Sequence, residues 1–413
     1  MKRYQAGLAI AASCGVLSVL TACGYHHDYY ASPYPPPNGD GAAPTGLIQG
    51  SDGNFYGTTN YGGRYGAGTF FKITPAGAET LLYSFVGGPG DGAAPDGVIQ
   101  GTDGNFYGAT SNGGNGPCPF GCGTVFKITP DGAETVLYFF SGAADGGAPN
   151  GLIQGTDGNF YGTTAFGGQF NSFCGQQGCG VVFRVTPAGG EAPLYSFVGG
   201  QNDGALAASV IQGKDGNFYG TTQFGGQSND GTVFKVTPAG VESLLHSFAG
   251  GNDGALPQLP LTQGSDGNLY GTTPYGGNSS NGVVFRVTLA GVETVLYAFT
   301  GTTSDGANPF TAMVQGSDGN FYGTTSSGGD SACAGGCGTV FKMTPAGAES
   351  TLYLFTASAS TGAQPPGPSG LIQGSDGNFY GTTSAGGQFG AGTLFRLTPA
   401  GAETLLYSFG ATP

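Results

Sequence analysis

The chain has 413 residues, including 85 glycines and 25 prolines, while charged residues make up only 9%. Such a composition fits either disorder or many tight turns, and the 29 phenylalanines and 21 tyrosines exclude disorder, because disordered chains lack the apolar side chains that offset the entropy of ordering. The net charge of −14 repels phosphate groups and argues against a nucleic-acid partner.

Residues 1–23 have the pattern of a secretory signal. A cationic start at residues 1–3 precedes an apolar run at 8–20 that is too short to span a bilayer. The run closes with LTAC at 20–23, which resembles the lipobox of bacterial lipoproteins. That resemblance implies export, lipidation of Cys23 and anchoring to the envelope, with Gly24 favouring the outer membrane or cell surface. The alternative is an ordinary cleaved signal whose cysteine carries no lipid.

Residues 24–40 read GYHHDYYASPYPPPNGD and show no apolar period. Segments rich in proline favour extended conformations and act as stiff spacers. We therefore expect a tether that joins the membrane anchor to a folded domain beginning at residue 41.

The rest of the chain is built from seven copies of one unit. The hexapeptide DGNFYG, once with leucine for phenylalanine, recurs at spacings of 51 to 58 residues. It begins at Asp52, Asp103, Asp157, Asp215, Asp266, Asp318 and Asp376. A period of about 40 to 50 residues is typical of the four-stranded blades of a β-propeller.

Each copy contains four short apolar runs. In the first copy these are GLIQ, NFYGTT, GTFFKIT and ETLLYSF, and turn residues DGN and PAG separate the first pair and the last pair. Runs of this length, rich in β-branched and aromatic residues, predict strands. The sequence thus predicts an all-β fold, a seven-bladed β-propeller with four antiparallel strands per blade over residues 41–413. A β-solenoid is the rival architecture.

The ends of the repeat array predict how the ring closes. The first copy begins with its own first strand near Leu47, and the last copy ends with its own fourth strand near Phe409. No strand from one end is available to complete the blade at the other end. Closure is therefore expected to depend on packing of blade one against blade seven.

The strings LIQGSDGNFYGTT and GTVFKITP resemble the GloVer tandem repeat of exported bacterial proteins. The resemblance covers about residues 40–413. It implies a secreted, propeller-like array and brings no settled activity with it.

Six cysteines of the predicted propeller form three local pairs in the loops between the second and third strands. In an exported protein such pairs predict disulfides, and four thiolates binding zinc are the less favoured alternative. The pairs are Cys118 with Cys122, Cys174 with Cys179, and Cys333 with Cys337.

The sequence offers little for catalysis. His246 stands where the other copies have tyrosine, so a packing role is favoured. The absence of tryptophan argues against a quinone-dependent dehydrogenase, and no cofactor or metal site is predicted. Glutamates, basic residues and DGN aspartates recur in every copy, which indicates solvated strand pairs and turns of a scaffold.

Two further polar series recur at fixed places. Gln49 and its six equivalents are expected to bridge backbone groups near the axis, with a polar channel lining as the alternative. Six aspartates precede the first strands and indicate turns more than calcium sites, because calcium loops have denser carboxylates. They are Asp40, Asp91, Asp145, Asp203, Asp253 and Asp305.

The variable loops carry aromatic residues, and two of the loop types are expected on one face of the ring. Aromatic side chains on rigid loops suit recognition of a glycan or a protein, although the residues at position 61 and its equivalents could instead pack against neighbouring blades. The candidate ligand-binding face comprises Tyr61, Tyr65, Phe166, Phe170, Phe224, Tyr275 and Phe389.

These observations predict a monomeric, surface-anchored propeller lipoprotein that acts as a binding scaffold for an extracellular glycan or protein. A polysaccharide-active hydrolase or lyase and a purely structural envelope protein are the alternatives. The absence of an asymmetric catalytic constellation favours a non-enzymatic role.

Overall fold

The computed structural model describes residues 39–356 and 368–410 of the chain. The signal, Cys23 and the tether up to residue 38 lie outside the described residues. The described part contains seven sheets of antiparallel strands arranged as the blades of a ring. The prediction of an all-β, seven-bladed propeller is confirmed, and the solenoid alternative is wrong.

Strands are numbered in chain order, and each blade holds four consecutive strands, with an extra short strand in blade six. Blades one and two contain β1 (Ala42–Gln49), β2 (Phe55–Tyr61), β3 (Thr69–Ile73), β4 (Glu79–Ser84), β5 (Gly92–Gln100), β6 (Phe106–Gly113), β7 (Thr124–Ile128) and β8 (Glu134–Phe139). Blades three and four contain β9 (Gly147–Gln154), β10 (Phe160–Phe166), β11 (Val181–Val185), β12 (Glu191–Ser196), β13 (Gly204–Gln212), β14 (Phe218–Gly225), β15 (Thr232–Val236) and β16 (Glu242–Ser247).

The remaining blades depart slightly from this plan at their first strands. Blade five contains β17 (Thr262–Gln263), β18 (Leu269–Thr273), β19 (Val283–Val287) and β20 (Glu293–Ala298). Blade six divides its first strand into β21 (Gly306–Pro309) and β22 (Val314–Gln315), followed by β23 (Phe321–Gly328), β24 (Thr339–Met343) and β25 (Glu349–Leu354). Blade seven contains β26 (Pro368–Gln373), β27 (Phe379–Thr383), β28 (Thr393–Leu397) and β29 (Glu403–Ser408).

The DGN turn forms because its aspartate bonds to the residues that follow. Asp52 Oδ1 accepts a hydrogen bond from the Asn54 backbone N–H at 3.0 Å, and Asp52 Oδ2 accepts one from the Tyr56 hydroxyl at 2.8 Å. Gly53 between them has φ +80°, a value that disfavours other residues. The same bonds recur in all seven copies, which explains why the hexapeptide is so constant.

The first strand of each blade lies nearest the centre of the ring. Gly46 of β1 and Gly97 of β5 approach so closely that a Cβ on Gly46 would lie 2.8 Å from the Gly97 Cα. Thr45 Oγ1 also donates to the Pro95 carbonyl at 3.0 Å, joining blade one to blade two.

The seven glutamines bridge backbone groups, and the structure shows that these groups belong to neighbouring blades. Gln100 Nε2 donates to the Gly104 carbonyl of its own turn, and its Oε1 accepts from the Ser51 backbone N–H of the preceding blade at 2.8 Å. The series is complete around the ring, because Gln49 accepts from the Ser375 backbone N–H at 2.8 Å. These side chains bridge backbone groups, which is the role that the sequence favoured.

The core consists of the interfaces between adjacent blades. Tyr56 of blade one and Phe106 of blade two have ring centroids 4.3 Å apart, and Phe85 meets Phe126 at 5.0 Å. These phenylalanines are fully buried. Because each sheet is apolar on both faces, only packing between two neighbours removes that surface from water.

Blades one and seven close the ring by face-to-face packing. Phe55 lies 4.2 Å from Tyr380, and Phe71 lies 4.9 Å from Phe409, measured between ring centroids. The Ala43 backbone N–H donates to the Ala391 carbonyl at 2.9 Å. Each blade keeps its own four strand positions, so closure without a shared terminal strand is confirmed.

The antiparallel order places the variable segments on one face of the ring, here called the loop face. It consists of the connections between blades and the β2–β3 type loops at 62–68, 114–123, 167–180, 226–231, 274–282, 329–338 and 384–392. The DGN and PAG turns lie on the opposite face, here called the turn face. Within the described residues, no helix has the length and apolar character needed to cross a membrane.

Candidate functional site

Paired glycines fix the start of each loop on the loop face. Gly62 and Gly63 both have positive φ, and a Cβ on Gly62 would lie 2.7 Å from the Gly41 Cα. Larger residues would therefore strain the backbone and clash with the first strand. The loops leave the blades at fixed positions and present their variable tips to solvent.

The structure divides the seven predicted aromatic residues into two groups. Tyr61, Phe166 and Phe224, at the ends of second strands, are half-buried. The other four are exposed by about half: Tyr65 by 52%, Phe170 by 50%, Tyr275 by 49% and Phe389 by 47%. The residues at the strand ends pack against their blades, while those at the loop tips are available to a ligand.

Four of the exposed aromatic side chains lie on consecutive blades, whereas Tyr275 of blade five and Phe310 of blade six lie apart from them. The four are Phe389 of blade seven, Tyr65 of blade one, Phe120 of blade two and Phe170 of blade three. Phe120, which was not among the residues predicted for the candidate face, is 57% exposed. These four residues are here called the aromatic arc. The Arg64 guanidinium lies 5.5 Å from the centre of the Tyr65 ring and supports it from one side.

Disulfides brace two of the loops that carry the aromatic arc. Cys118 is joined to Cys122 on either side of Phe120, and Cys174 is joined to Cys179 in the loop of Phe170. The third disulfide, between Cys333 and Cys337, lies in blade six. The predicted pairs are those that the structure contains, and the zinc alternative is wrong. Three disulfides are typical of a protein that folds in an oxidising, extracytoplasmic compartment.

The six aspartates before the first strands cap the preceding blade. Asp91 Oδ2 accepts from the Tyr83 hydroxyl of β4 at 3.0 Å and from the Val86 backbone N–H at 2.6 Å. The same pairing, here called a clasp, joins each of these aspartates to the fourth strand of the blade before it. The clasps are Tyr83–Asp91, Tyr138–Asp145, Tyr195–Asp203, His246–Asp253, Tyr297–Asp305 and Tyr407–Asp40. Their carboxylates accept hydrogen bonds from the end of a fourth strand and from the turn that follows it. This agrees with the turn-forming role that the sequence favoured.

The recurrent glutamates are only partly solvated, contrary to expectation. One carboxylate oxygen of each is buried and has no hydrogen-bond partner: Glu79, Glu134, Glu191, Glu242, Glu293, Glu349 and Glu403. Each glutamate begins a fourth strand that lies against the neighbouring blade. Its carboxylate would be exposed in an isolated blade and becomes partly buried when the ring forms. Burial, together with the Asp91 carboxylate, raises the pKa of Glu134 to about 7.

Three of the recurrent lysines, Lys72, Lys127 and Lys342, pair with turn aspartates and not with these glutamates. Lys72 Nζ lies 3.1 Å from Asp52 Oδ2, and Lys342 Nζ lies 2.9 Å from Asp318 Oδ2. Although burial opposes it, hydrogen bonds from Asn105 and Tyr107 lower the pKa of Asp103 to about 2. These partly exposed pairs lie on the turn face of blades one, two and six, at equivalent positions of separate blades.

The described residues contain one histidine, His246, which is half-buried between blades four and five and belongs to neither the loops nor the blades of the aromatic arc. Carboxylates, phenols and lysines recur at equivalent places in successive blades. Acid–base catalysis needs an asymmetric pair of groups directed at one substrate. On the loop face the asymmetric feature is instead the aromatic arc.

The fold and the loop face define a seven-bladed β-propeller repeat protein. The family model described as the Gloeobacter/Verrucomicrobia repeat matches residues 15–173, 118–335 and 260–413, and the chain belongs to this family. The expectation drawn from the repeat motifs is thereby confirmed. Among curated proteins, none matches the sequence.

Solved propellers share the fold at low sequence identity. A virginiamycin B lyase from Staphylococcus aureus is 15% identical, with a TM-score of 0.56 over 84% of this chain and 93% of that one. A puromycin-hydrolysing peptidase from Mycobacterium tuberculosis is 11% identical, with a TM-score of 0.54 over 92% of this chain and 55% of that one. The chain thus spans about half of the peptidase, and at these identities the likeness concerns the fold alone.

Proposed function

We propose that this protein is a non-enzymatic binding scaffold of the cell envelope whose loop face binds an extracellular glycan or protein. The observation that supports this most directly is the aromatic arc. Tyr65, Phe120, Phe170 and Phe389 expose about half of their surface on neighbouring blades. Aromatic side chains that are exposed on loops of neighbouring blades are suited to contacting one extended ligand.

Rigid mounting supports the same proposal. Cys122 is fully buried and Cys174 is almost so, which anchors the loops of Phe120 and Phe170 in the blade interfaces. A preformed surface loses little conformational entropy when a ligand binds. The arc is therefore suited to recognition without rearrangement of the ring.

The charge and chemistry of the chain favour a neutral glycan as the ligand. Planar aromatic faces pack well against the apolar faces of sugar rings, and charged residues make up only 9% of the chain. The acidic net charge of −14 disfavours anionic polysaccharides. A neutral surface glycan meets both conditions.

The proposed location is the outer membrane or cell surface, with Cys23 carrying the lipid. The repeat family and the three disulfides agree with an extracytoplasmic location. The proposed tether would join the lipid to the ring, and it ends before residue 40, because Asp40 is buried in the ring. A Cys23→Ala variant should move from the membrane fraction to the soluble fraction, whereas continued sedimentation with membranes would contradict lipidation.

Glycan-array binding followed by calorimetry tests the function. The mature chain should bind a subset of neutral glycans, and Tyr65→Ala or Phe170→Ala should each weaken binding by about tenfold, since an anchoring aromatic contributes about 1.4 kcal/mol or more. Phe166→Ala is unsuitable, because that side chain is half-buried and its loss would disturb packing.

Val241→Ala and Val292→Ala provide matched controls. Both valines are exposed, by 60% and 62%, and lie in turns of the turn face. They should leave binding unchanged. Equal loss in the arc and turn-face variants would contradict the proposal. Turnover of polysaccharides in a substrate panel would instead identify a hydrolase or lyase. The absence of both glycan binding and turnover would favour a purely structural role.

A further inference from the structure

One of the six clasps differs from the others in its chemistry. Between blades four and five, His246 of β16 replaces the tyrosine, and its Nε2 lies 3.3 Å from Asp253 Oδ2. Asp253 Oδ2 also accepts a hydrogen bond from the Ala249 backbone N–H at 2.7 Å, which fixes the orientation of the carboxylate. The histidine places an imidazole nitrogen, which can bind a metal ion, where the other clasps have a phenol.

A second carboxylate completes the cluster from the next blade. Glu293 begins β20, and one ligand atom from each of His246, Asp253 and Glu293 lies within 4.8 Å of the other two. Glu293 Oε1 is buried and has no hydrogen-bond partner. Leaving a buried carboxylate oxygen unpaired costs free energy, which a cation in the cluster would offset.

The surrounding charge also favours a cation. Burial and the nearby Asp253 carboxylate raise the pKa of Asp230, which lies in the β14–β15 loop of blade four. Glu293 lies near the same Asp253 carboxylate. A positive ion bound beside the His246 imidazole would relieve the repulsion between these carboxylates.

We propose that His246, Asp253 and Glu293 bind one Zn²⁺ ion that joins blade four to blade five. Zn²⁺ accepts one imidazole nitrogen and two carboxylate oxygens at about 2.0–2.2 Å, and tetrahedral ligands at such distances stand about 3.3 Å apart. The separation between His246 Nε2 and Asp253 Oδ2 has this value. Ca²⁺ and Mg²⁺ prefer oxygen ligands throughout, so the imidazole selects for a transition metal.

The other clasps provide the contrast. Tyr195 donates its hydroxyl to Asp203 at 3.0 Å, and Glu242 begins the next fourth strand with its Oε1 unpartnered, so the two carboxylates are in place. Burial and the Asp203 carboxylate raise the pKa of Tyr195 further above its ordinary value, so the phenol stays protonated and is a poor ligand. Histidine in place of this tyrosine is the single change that should create a second zinc site.

Zinc titration of the mature chain tests the proposal, with His26→Ala and His27→Ala in the background to remove the histidines of the tether. Competition with a chromogenic chelator should show one Zn²⁺ per chain, and Co²⁺ should give visible absorption bands. His246→Tyr restores the residue of the other six copies and should lower zinc affinity at least tenfold. Tyr195→His should raise the stoichiometry to two, and Zn²⁺ should raise the Tm of the parent more than that of His246→Tyr.

Two results would overturn the proposal. One is equal zinc affinity in the parent and in His246→Tyr, which would place the ion elsewhere. The other is no binding by the parent at micromolar Zn²⁺. Circular dichroism would verify that His246→Tyr is folded, which the six tyrosine-bearing copies lead us to expect.

Discussion

The Tyr407 hydroxyl donates a hydrogen bond to the carboxylate of Asp40, although 367 residues separate the two along the chain. Asp40 Oδ1 also accepts from the Gly410 backbone N–H at 2.8 Å. The arrangement repeats the clasps between consecutive blades, such as Tyr83 with Asp91. Blades seven and one are thus joined by the same kind of contact as five other pairs of neighbouring blades, and the ring needs no exchanged strand.

Removing the closing phenol should destabilise the ring as much as removing an internal one. Tyr407→Phe and Tyr83→Phe each delete one hydrogen bond to a buried aspartate, at a cost of about 1–3 kcal/mol. Urea unfolding of both variants measures this. A neutral Tyr407→Phe beside a destabilising Tyr83→Phe would indicate that the two ends of the chain are not joined.

The blade interfaces should dominate stability. Phe106 is fully buried between Tyr56 and Phe70, at centroid distances of 4.3 and 5.2 Å, so Phe106→Ala should cost about 3–5 kcal/mol. Phe120→Ala, at a residue that is 57% exposed, should change the free energy of unfolding by about 0.5 kcal/mol or less. Similar losses from both substitutions would contradict the assignment of the core.

Stability should be greatest in mildly acidic solution. Burial raises the pKa of Glu134 from 4.5 to about 7, so between these values the folded state retains a proton that the unfolded state has lost, and stability falls as pH rises through this window. Glu79, Glu191, Glu242, Glu293 and Glu349 behave alike. Hydrogen bonds lower the pKa of Asp103 from 3.8 to about 2, so stability also falls below pH 3.8.

Calorimetry between pH 3 and pH 8 measures this dependence. The Tm should peak near pH 4 to 5, and Glu134→Gln should flatten the decline above the peak, because glutamine does not titrate. Asp131→Asn provides the control, since that carboxylate is exposed in the β7–β8 turn. A Tm that rises steadily up to pH 8 would contradict the burial of the glutamates.

The disulfides should brace loops and not hold the ring. Replacing Cys174 and Cys179 by serine removes a bond that closes a short loop, which costs about 2 kcal/mol in the chain-entropy model. Circular dichroism should show a folded ring, while ligand binding that depends on Phe170 weakens. Loss of the native β-sheet signal would instead give this disulfide a role in closing the ring.

The sequence predicted the fold well because each copy repeats the same local signals. Asp52, Gly53 and Asn54 specify a turn from within three residues, and alternating apolar residues specify strands that are buried on both faces. Seven repetitions of a weak signal make a strong one. Packing of blade one against blade seven was also predicted, because each copy has its own four strands, and the contact between Phe55 and Tyr380 confirms it.

Contacts between blades were harder to predict, because they join residues about 50 positions apart. Glu134 looked solvated in its own copy, and only the neighbouring blade buries it beside Asp91. His246 was expected to pack in place of a tyrosine, and the ring brings it to Asp253 and Glu293. The fixed spacing of the tyrosine, aspartate and glutamate series was visible in the sequence, but their meeting requires the geometry of the ring.

Small-angle scattering of the mature chain tests most directly whether the seven blades close, on which both the aromatic arc and the clasps depend. A closed ring of this size should give a disc-shaped envelope with a radius of gyration of about 21 Å, slightly increased by the tether. An elongated rod with a much larger radius would contradict the account, because Phe389 and Tyr65 would then lie at opposite ends of the protein.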